Sequence, residues 1–180
     1  SLVEGIDNIY IEGSTVNITV TFSEAVTVNT TGGTPRMLLE TGTVDQYAGY
    51  ISGTGTTALV FSYTVDSADV RDDLNYKGPS SLYLNSGTIK DANGNNAVLT
   101  LPTLTSANSL AGSSDIVIDA KLPTVTNVTS ITNNGYYNTG DKIVIYVKFS
   151  EVVEVTGTPT LTLETGTTDR NATYISGSGY

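Results

Sequence analysis

Two stretches of this chain are copies of one another, and that constrains its fold more than any other feature. Phe22-Ser23-Glu24 returns as Phe149-Ser150-Glu151, 149 − 22 = 127 residues later. Thr34-Pro35 and Leu39-Glu40-Thr41-Gly42-Thr43 return as Thr158-Pro159 and Leu163-Glu164-Thr165-Gly166-Thr167, with 158 − 34 = 124. Residues 34–55 laid on 158–179 agree at 14 of 22 positions, too many for chance. The difference between the two shifts marks an insertion around Asn29 to Gly32. A period of 124 to 127 residues is too long for a solenoid unit and matches a whole domain repeated in tandem. The boundary falls near Asp119-Ala120-Lys121-Leu122-Pro123. Residues 1–121 then form one repeat with a slightly truncated opening strand, and 122–180 form the N-terminal half of a second. The short link, with Pro123 fixing φ, predicts a stiff junction.

Within each copy the apolar residues alternate. Val16, Ile18, Val20 and Phe22 share one face of an extended segment while Thr and Asn take the other, and Ile143, Ile145, Val147 and Phe149 repeat the pattern. Further strands are expected at 58–65, 81–90, 97–101, 116–119, 125–129, 142–149, 159–164 and 170–176, with a short helical turn within 65–74. Short strands separated by turn residues predict an all-β chain of immunoglobulin-like two-sheet sandwich repeats, lacking the disulfide of that fold. A closed barrel is the structural alternative.

Composition narrows the chemistry. The net charge of −10 repels nucleic acid and anionic membranes. There is no cysteine and no histidine, which removes thiolate zinc sites, thiol nucleophiles and the usual general base. Hard-cation chemistry through oxygen ligands is what remains. No run approaches the ~20 apolar residues of a membrane helix, so no membrane insertion is expected. The opening residues lack the basic start and apolar run of a signal peptide, so any export signal is expected outside them.

Three pieces of sequence carry a family likeness: the Phe-Ser-Glu-x-Val strand end at 22–26 and 149–153, the loop Asp91-Ala92-Asn93-Gly94-Asn95, and Ile116-Val117-Ile118-Asp119 followed by Pro123-Thr124-Val125. With them the chain resembles, over nearly all of its length, the bacterial Ig-like tandem repeats of large surface and adhesin-like proteins. It departs from that pattern at Lys121-Leu122, where small residues are usual. The resemblance implies a non-catalytic extender or stalk at the cell surface or outside the cell, often stiffened by calcium.

Two origins are open for the half-repeat at 122–180. Either the chain is an excerpt, or this half is completed by strands of a neighbouring copy of the same repeat protein, since an unfinished sandwich exposes its inner face and a strand edge.

Calcium candidates follow from oxygen-bearing side chains. Asp91, Asn93 and Asn95 put oxygens on alternate residues around Gly94, as short Ca²⁺ loops do, and Asp119 and Glu24 could add ligands. A plain Asx turn uses the same residues. Asp66, Asp69, Asp72 and Asp73 crowd into eight residues, Asp69 and Asp73 being the pair singled out for metal, with solvated surface acidity as the other reading. Glu24 and Glu151 occupy equivalent positions in different repeats, so they cannot flank one glycosidic bond. Four Asn-x-Ser/Thr triplets, at Asn17, Asn29, Asn127 and Asn171, are what a Thr-rich composition produces. The functional alternative to a stalk is a module binding carbohydrate or a receptor, for which the 11 tyrosines are the available stacking groups.

Overall fold

The computed structural model describes residues 9–179. The truncated opening strand expected before residue 9, and Tyr180, lie outside the described residues. The class is all-β, with 41% strand against 2% helix, so sheet pairing carries nearly all the regular backbone hydrogen bonding. Among the described residues no helix is long and apolar enough to cross a membrane. The chain divides into two compact units, one ending at Lys121 and the other beginning at Leu122.

The first unit contains β1 (Ile9–Tyr10), β2 (Thr15–Asn29), β3 (Arg36–Glu40), β4 (Gln46–Ser52), β5 (Thr56–Thr64), β6 (Val70–Arg71), β7 (Asn75–Tyr76), β8 (Leu82–Tyr83), β9 (Thr88–Lys90), one helical turn α1 (Leu110–Ser113) and β10 (Val117–Asp119). The larger sheet runs β7-β3-β4-β5-β2-β9, with β8 also on β3, and a smaller one runs β1-β10-β6. β1 lies parallel to β10, and the other pairings are antiparallel.

β2 is long because it serves two neighbours. Thr15 to Thr21 pair with β5, Thr27 to Asn29 pair with β9, and the register slips between Thr21 and Val26. That slip carries Phe22-Ser23-Glu24, so the repeated motif marks the bulge where the strand leaves one partner for the other.

β5 is the middle of the core. Leu59, Phe61 and Tyr63 on its inner face are 0%, 0% and 1% exposed. They meet Val16 and Ile18 of β2, Met37 and Leu39 of β3 and Ala48 of β4 in one apolar cluster, which Ile116, Ile118 and Ala120 join from around the smaller sheet. Burial of each large side chain contributes about 1.5–3 kcal/mol. The three-residue insertion also has a packing reason. A Cβ on Gly32 or Gly33 would fall 2.3 Å from Ser86 O and 1.9 Å from Asn85 O, so this loop lies directly on the turn after β8.

Three local expectations are corrected. The strand expected over 81–90 divides into β8 and β9, because Asn85 (φ +49°) and Ser86 (φ +67°) form a left-handed turn. Residues 97–101 form no strand and are held singly, by Ala97 N–H to Ile89 O and Leu101 N–H to Pro79 O. The helical turn expected within 65–74 is absent. The Asp69 carboxylate accepts from Asp66 N–H at 2.9 Å and Ala68 turns left-handed (φ +69°), so a side chain captures a backbone donor that a helix would need. The helical turn lies instead at α1, capped by Ser109 Oγ accepting from Gly112 N–H.

The second unit contains β11 (Val125–Ser130), β12 (Ile145–Phe149), β13 (Thr160–Leu163) and β14 (Arg170–Thr173), paired as β11-β12 and β13-β14. Its β13-β14 hairpin repeats the register of β3-β4, and several hydrogen bonds around it recur. Arg36↔Gly49 and Leu39↔Gln46 in β3-β4 correspond, 124 residues on, to Thr160↔Thr173 and Leu163↔Arg170 in β13-β14. Tyr50 N–H donates to Pro35 O at 2.9 Å, and Tyr174 N–H to Pro159 O at 3.1 Å. Thr41 Oγ1 donates to Val44 O and Thr165 Oγ1 to Thr168 O, both at 2.9 Å. Gly55 N–H donates to Val26 O at 2.8 Å, and Gly179 N–H to Val153 O at 3.0 Å.

Burial is where the two units part. Val16, Ile18, Val26, Met37, Leu39 and Ala48 are all buried. Their counterparts Ile143, Ile145, Val153, Leu161, Leu163 and Ala172 are not, and no described residue from Leu122 onward is buried. Paired substitutions test this difference. Ile18→Ala should lower the unfolding free energy of the first unit by about 2–5 kcal/mol, whereas Ile145→Ala should leave that transition unmoved, as read by denaturant melts of the full chain. Equal losses from both would contradict it.

Candidate functional site

The acidic segment 66–73 divides into separate environments. Asp69 is buried and satisfied inside the protein: its Oδ2 accepts from Tyr63 O–H at 2.6 Å and from Asp66 N–H. Burial pushes the Tyr63 phenol far above its ordinary range, and the Asp69 carboxylate adds to the shift, so Tyr63 remains a neutral donor. Asp119 adjoins this pair through the backbone, opposite Val70 in the β10-β6 ladder, with Ala120 N–H donating to Asp69 O. Asp73 lies elsewhere, on a groove of about 600 Å³ shared with Glu40, Arg71 and Lys77. There Lys77 donates to Glu40 and lies 3.2 Å from Asp45, and the two carboxylates hold the Lys77 ammonium above its usual range.

The loop after β9 closes on itself. Asp91 Oδ1 accepts from Asn93 N–H at 2.9 Å and Asn95 N–H at 2.7 Å, while Oδ2 accepts from the Asn95 side-chain amide at 2.7 Å. Asn95 foremost, then the other loop amides, hold the Asp91 carboxyl below the usual carboxylate value. This is Asx-turn geometry, with both oxygens supplied by donors. Glu24 stands exposed at the β2 bulge. Among the described residues no three Asp or Glu side chains come together as a metal-holding group.

One arrangement escaped the sequence reading. Arg36 lies over the Tyr47 ring, Cζ 3.9 Å from the centroid, and Tyr47 meets Tyr83 edge-on at 6.2 Å. The cross-strand pairing of Arg36 with Tyr83 decides this, and a linear pattern does not display it. The counterparts of Arg36 and Tyr47 are Thr160 and Asn171, so the cluster belongs to the first unit alone.

The strand edge expected to be exposed in residues 122–180 is a pair of edges among the described residues. In an antiparallel ladder, alternate residues direct their backbone groups to opposite edges. Val65 N–H donates to Ser14 O, so Ser14, Val16, Ile18 and Val20 face β5, and their counterparts are Asp141, Ile143, Ile145 and Val147. In the second unit Val144 O accepts from Ser130 Oγ at 2.6 Å and Val144 N–H donates to Thr132 Oγ1 at 3.1 Å. β11 therefore lies on the opposite edge from the one that β5 occupies on β2. β14 turns Tyr174 N–H toward β13, leaving the edge that carries Asn171 and Thr173 as the counterpart of the β4 edge that pairs with β5. Among the described residues neither edge has a strand partner. The halves are tied at one end as in the first unit: Val28 N–H donates to Thr54 Oγ1 at 2.9 Å, and Val155 N–H to Ser178 Oγ at 2.8 Å. Beside that tie a groove of about 500 Å³ runs along Pro123, Phe149, Val153, Val155 and Pro159, with Glu151 on its wall.

Comparison with protein-family models, with curated proteins and with solved structures finds no match.

Two measurements follow from the acidic sites. Tyr63→Phe leaves a buried carboxylate one donor short and should cost about 1–3 kcal/mol in denaturant unfolding, with an unchanged far-ultraviolet spectrum. For Asp91, the folded carboxyl has the lower pKa, so its contribution is present above the unfolded carboxylate value and lost as pH falls through the folded one. The gap in melting temperature between wild type and Asp91→Ala should be widest near neutral pH and close under acid. A gap constant with pH would remove Asp91's charge as its cause.

Proposed function

We propose that this chain is a structural, extender-type part of an extracellular or cell-surface repeat protein. In this reading its units are immunoglobulin-like two-sheet sandwiches. The supporting observation is that β13-β14 repeats the register of β3-β4 pair for pair, as two copies of one building block would. The sandwich is supported by the shared core, one cluster in which Ile118 of the smaller sheet joins Leu59 and Phe61 of the larger. The net charge of −10 fits a well-solvated exported surface and disfavours nucleic acid as a partner. No catalytic step is assigned.

Calcium enters this reading as a stiffening ion taken up by the acidic loops. At Asp91 it would have to displace the Asn95 amide, and Asp119 is the carboxylate closest to the junction. Melting in calcium against a chelator decides it: a rise with calcium supports stiffening, and coincident curves remove calcium from the function. Small-angle scattering tests the extender role. A head-to-tail fusion of two chains should add a whole chain's length to the maximum dimension, and a compact particle would sink the proposal.

The alternative, a carbohydrate- or receptor-binding adhesin module, is favoured by one feature, the half-exposed Tyr47 and Tyr83 beside Arg36. A saturable glycan-array signal abolished by Tyr47→Ala and Tyr83→Ala would support it over the extender.

A further inference from the structure

We infer that Asn134-Gly135, in the loop between β11 and β12, is a self-modification site, where the chain's own backbone amide and water convert Asn134 to aspartate and isoaspartate without an enzyme. The inference goes beyond the proposed function and does not depend on it.

The chemistry needs an asparagine followed by a residue whose backbone nitrogen can reach the side-chain carboxamide. Glycine, lacking a Cβ, leaves that nitrogen least obstructed. The glycine nitrogen, its proton taken by hydroxide, attacks the asparagine Cγ. A new N–Cγ bond closes a cyclic imide as the carboxamide C–N bond breaks and ammonia leaves. Water then adds to one of the imide carbonyls. Opening at Cγ restores the ordinary peptide with an aspartate side chain, and opening at the backbone carbonyl carries the peptide through Cβ as isoaspartate. Asparagine and water thus become aspartate or isoaspartate and ammonia, nothing is oxidised or reduced, and the loop gains a negative charge.

The sequence holds two Asn-Gly steps, Asn93-Gly94 and Asn134-Gly135, and the fold treats them oppositely. At the first, the atoms that must move are held. Gly94 N–H donates to Asp91 O at 3.2 Å, while Asn93 N–H and Asn95 N–H donate to Asp91 Oδ1 at 2.9 and 2.7 Å. Attack would break this turn and set a negative nitrogen beside the Asp91 carboxylate.

At Asn134-Gly135 neither restraint is present. Both residues are exposed, and among the described residues no hydrogen bond engages the Gly135 N–H or the Asn134 carboxamide. The loop is anchored beside the step instead, by Tyr137 O–H donating to Asn133 O and by Asn138 N–H donating to Asp141 Oδ2 at 2.6 Å. The two Asn-Ser steps, next in freedom from obstruction, are held as well. Ser109 N–H donates to Ser106 O at 2.9 Å, and the Asn85 carboxamide donates to Thr34 O at 3.1 Å. The repeat adds a separate observation. At the 127-residue shift Asn134 aligns with Asp7, since 134 − 127 = 7, so the aspartate product is the residue that the first copy has at this position.

The test incubates the full chain in mildly alkaline buffer and follows each asparagine by peptide mass mapping, with isoelectric focusing for the added charge. In the folded chain Asn134 should convert at least ~10-fold faster than Asn93, because the bonds at Asp91 that must open first raise that barrier. In denaturant, where the turn is gone, the two rates should converge. Gly135→Ala crowds the attacking nitrogen and should abolish the early charge change. A Cβ there meets nothing within 4 Å and the position needs no left-handed φ, so this variant keeps the fold. Asn134 left intact, Asn93 converting as fast in the folded chain, or a charge change that survives Gly135→Ala overturns the inference.

Discussion

Everything well packed in this protein depends on β5. It is the central strand of the larger sheet, its inner side chains Leu59, Phe61 and Tyr63 are essentially inaccessible, and its two edges carry β2 and β4. A central strand supplies backbone partners on both sides and apolar surface to the core at the same time. Its neighbours thereby satisfy their hydrogen bonds and bury their apolar residues in a single step. The second unit shows the converse. Its β13-β14 ribbon keeps the register of β3-β4, yet none of its described residues is buried.

That contrast separates local from non-local stabilisation within one chain. The β13-β14 ribbon reproduces its turn bond from Thr165 Oγ1, its register and its left-handed Gly177 with no core beneath it, so these features come from short-range sequence. Burial of Ile143, Leu161 and Ala172 requires surfaces distant along the chain or from another molecule. Stability therefore differs between the units for a reason that composition does not contain. The acidic residues follow the same logic: Asp69 is fixed by Tyr63 across the core edge, Asp91 is fixed by its own loop, and Asp73 shares a groove with Arg71 and Lys77.

Several elements were legible from residues alone because their signals are local. Period-two alternation marked β2 and β12, and the repeat located equivalent hairpins. Other elements were not, because the deciding partner is remote. The run 81–90 reads as one strand until the left-handed turn at Asn85 and Ser86 packs against Gly32 and Gly33. The run 65–74 reads as a helical turn until Asp69 binds Asp66 N–H and Tyr63 O–H. Of the acidic candidates, Asp91, Asn93 and Asn95 do lie in one closed loop, whereas Asp69, Asp73, Asp119 and Glu24 share no metal-holding group. Spacing along a chain does not report which loops converge.

By itself the sequence determined the all-β class, the doubled building block and the alternation that gives each strand an inner and an outer face, because backbone sterics and side-chain periodicity act over a few residues. Only the tertiary structure decided which edge each strand offers, which polar groups find partners, and that equivalent apolar residues are sealed in one unit and open in the other. Burial is a property of pairs of surfaces, and the second surface is not encoded beside the first.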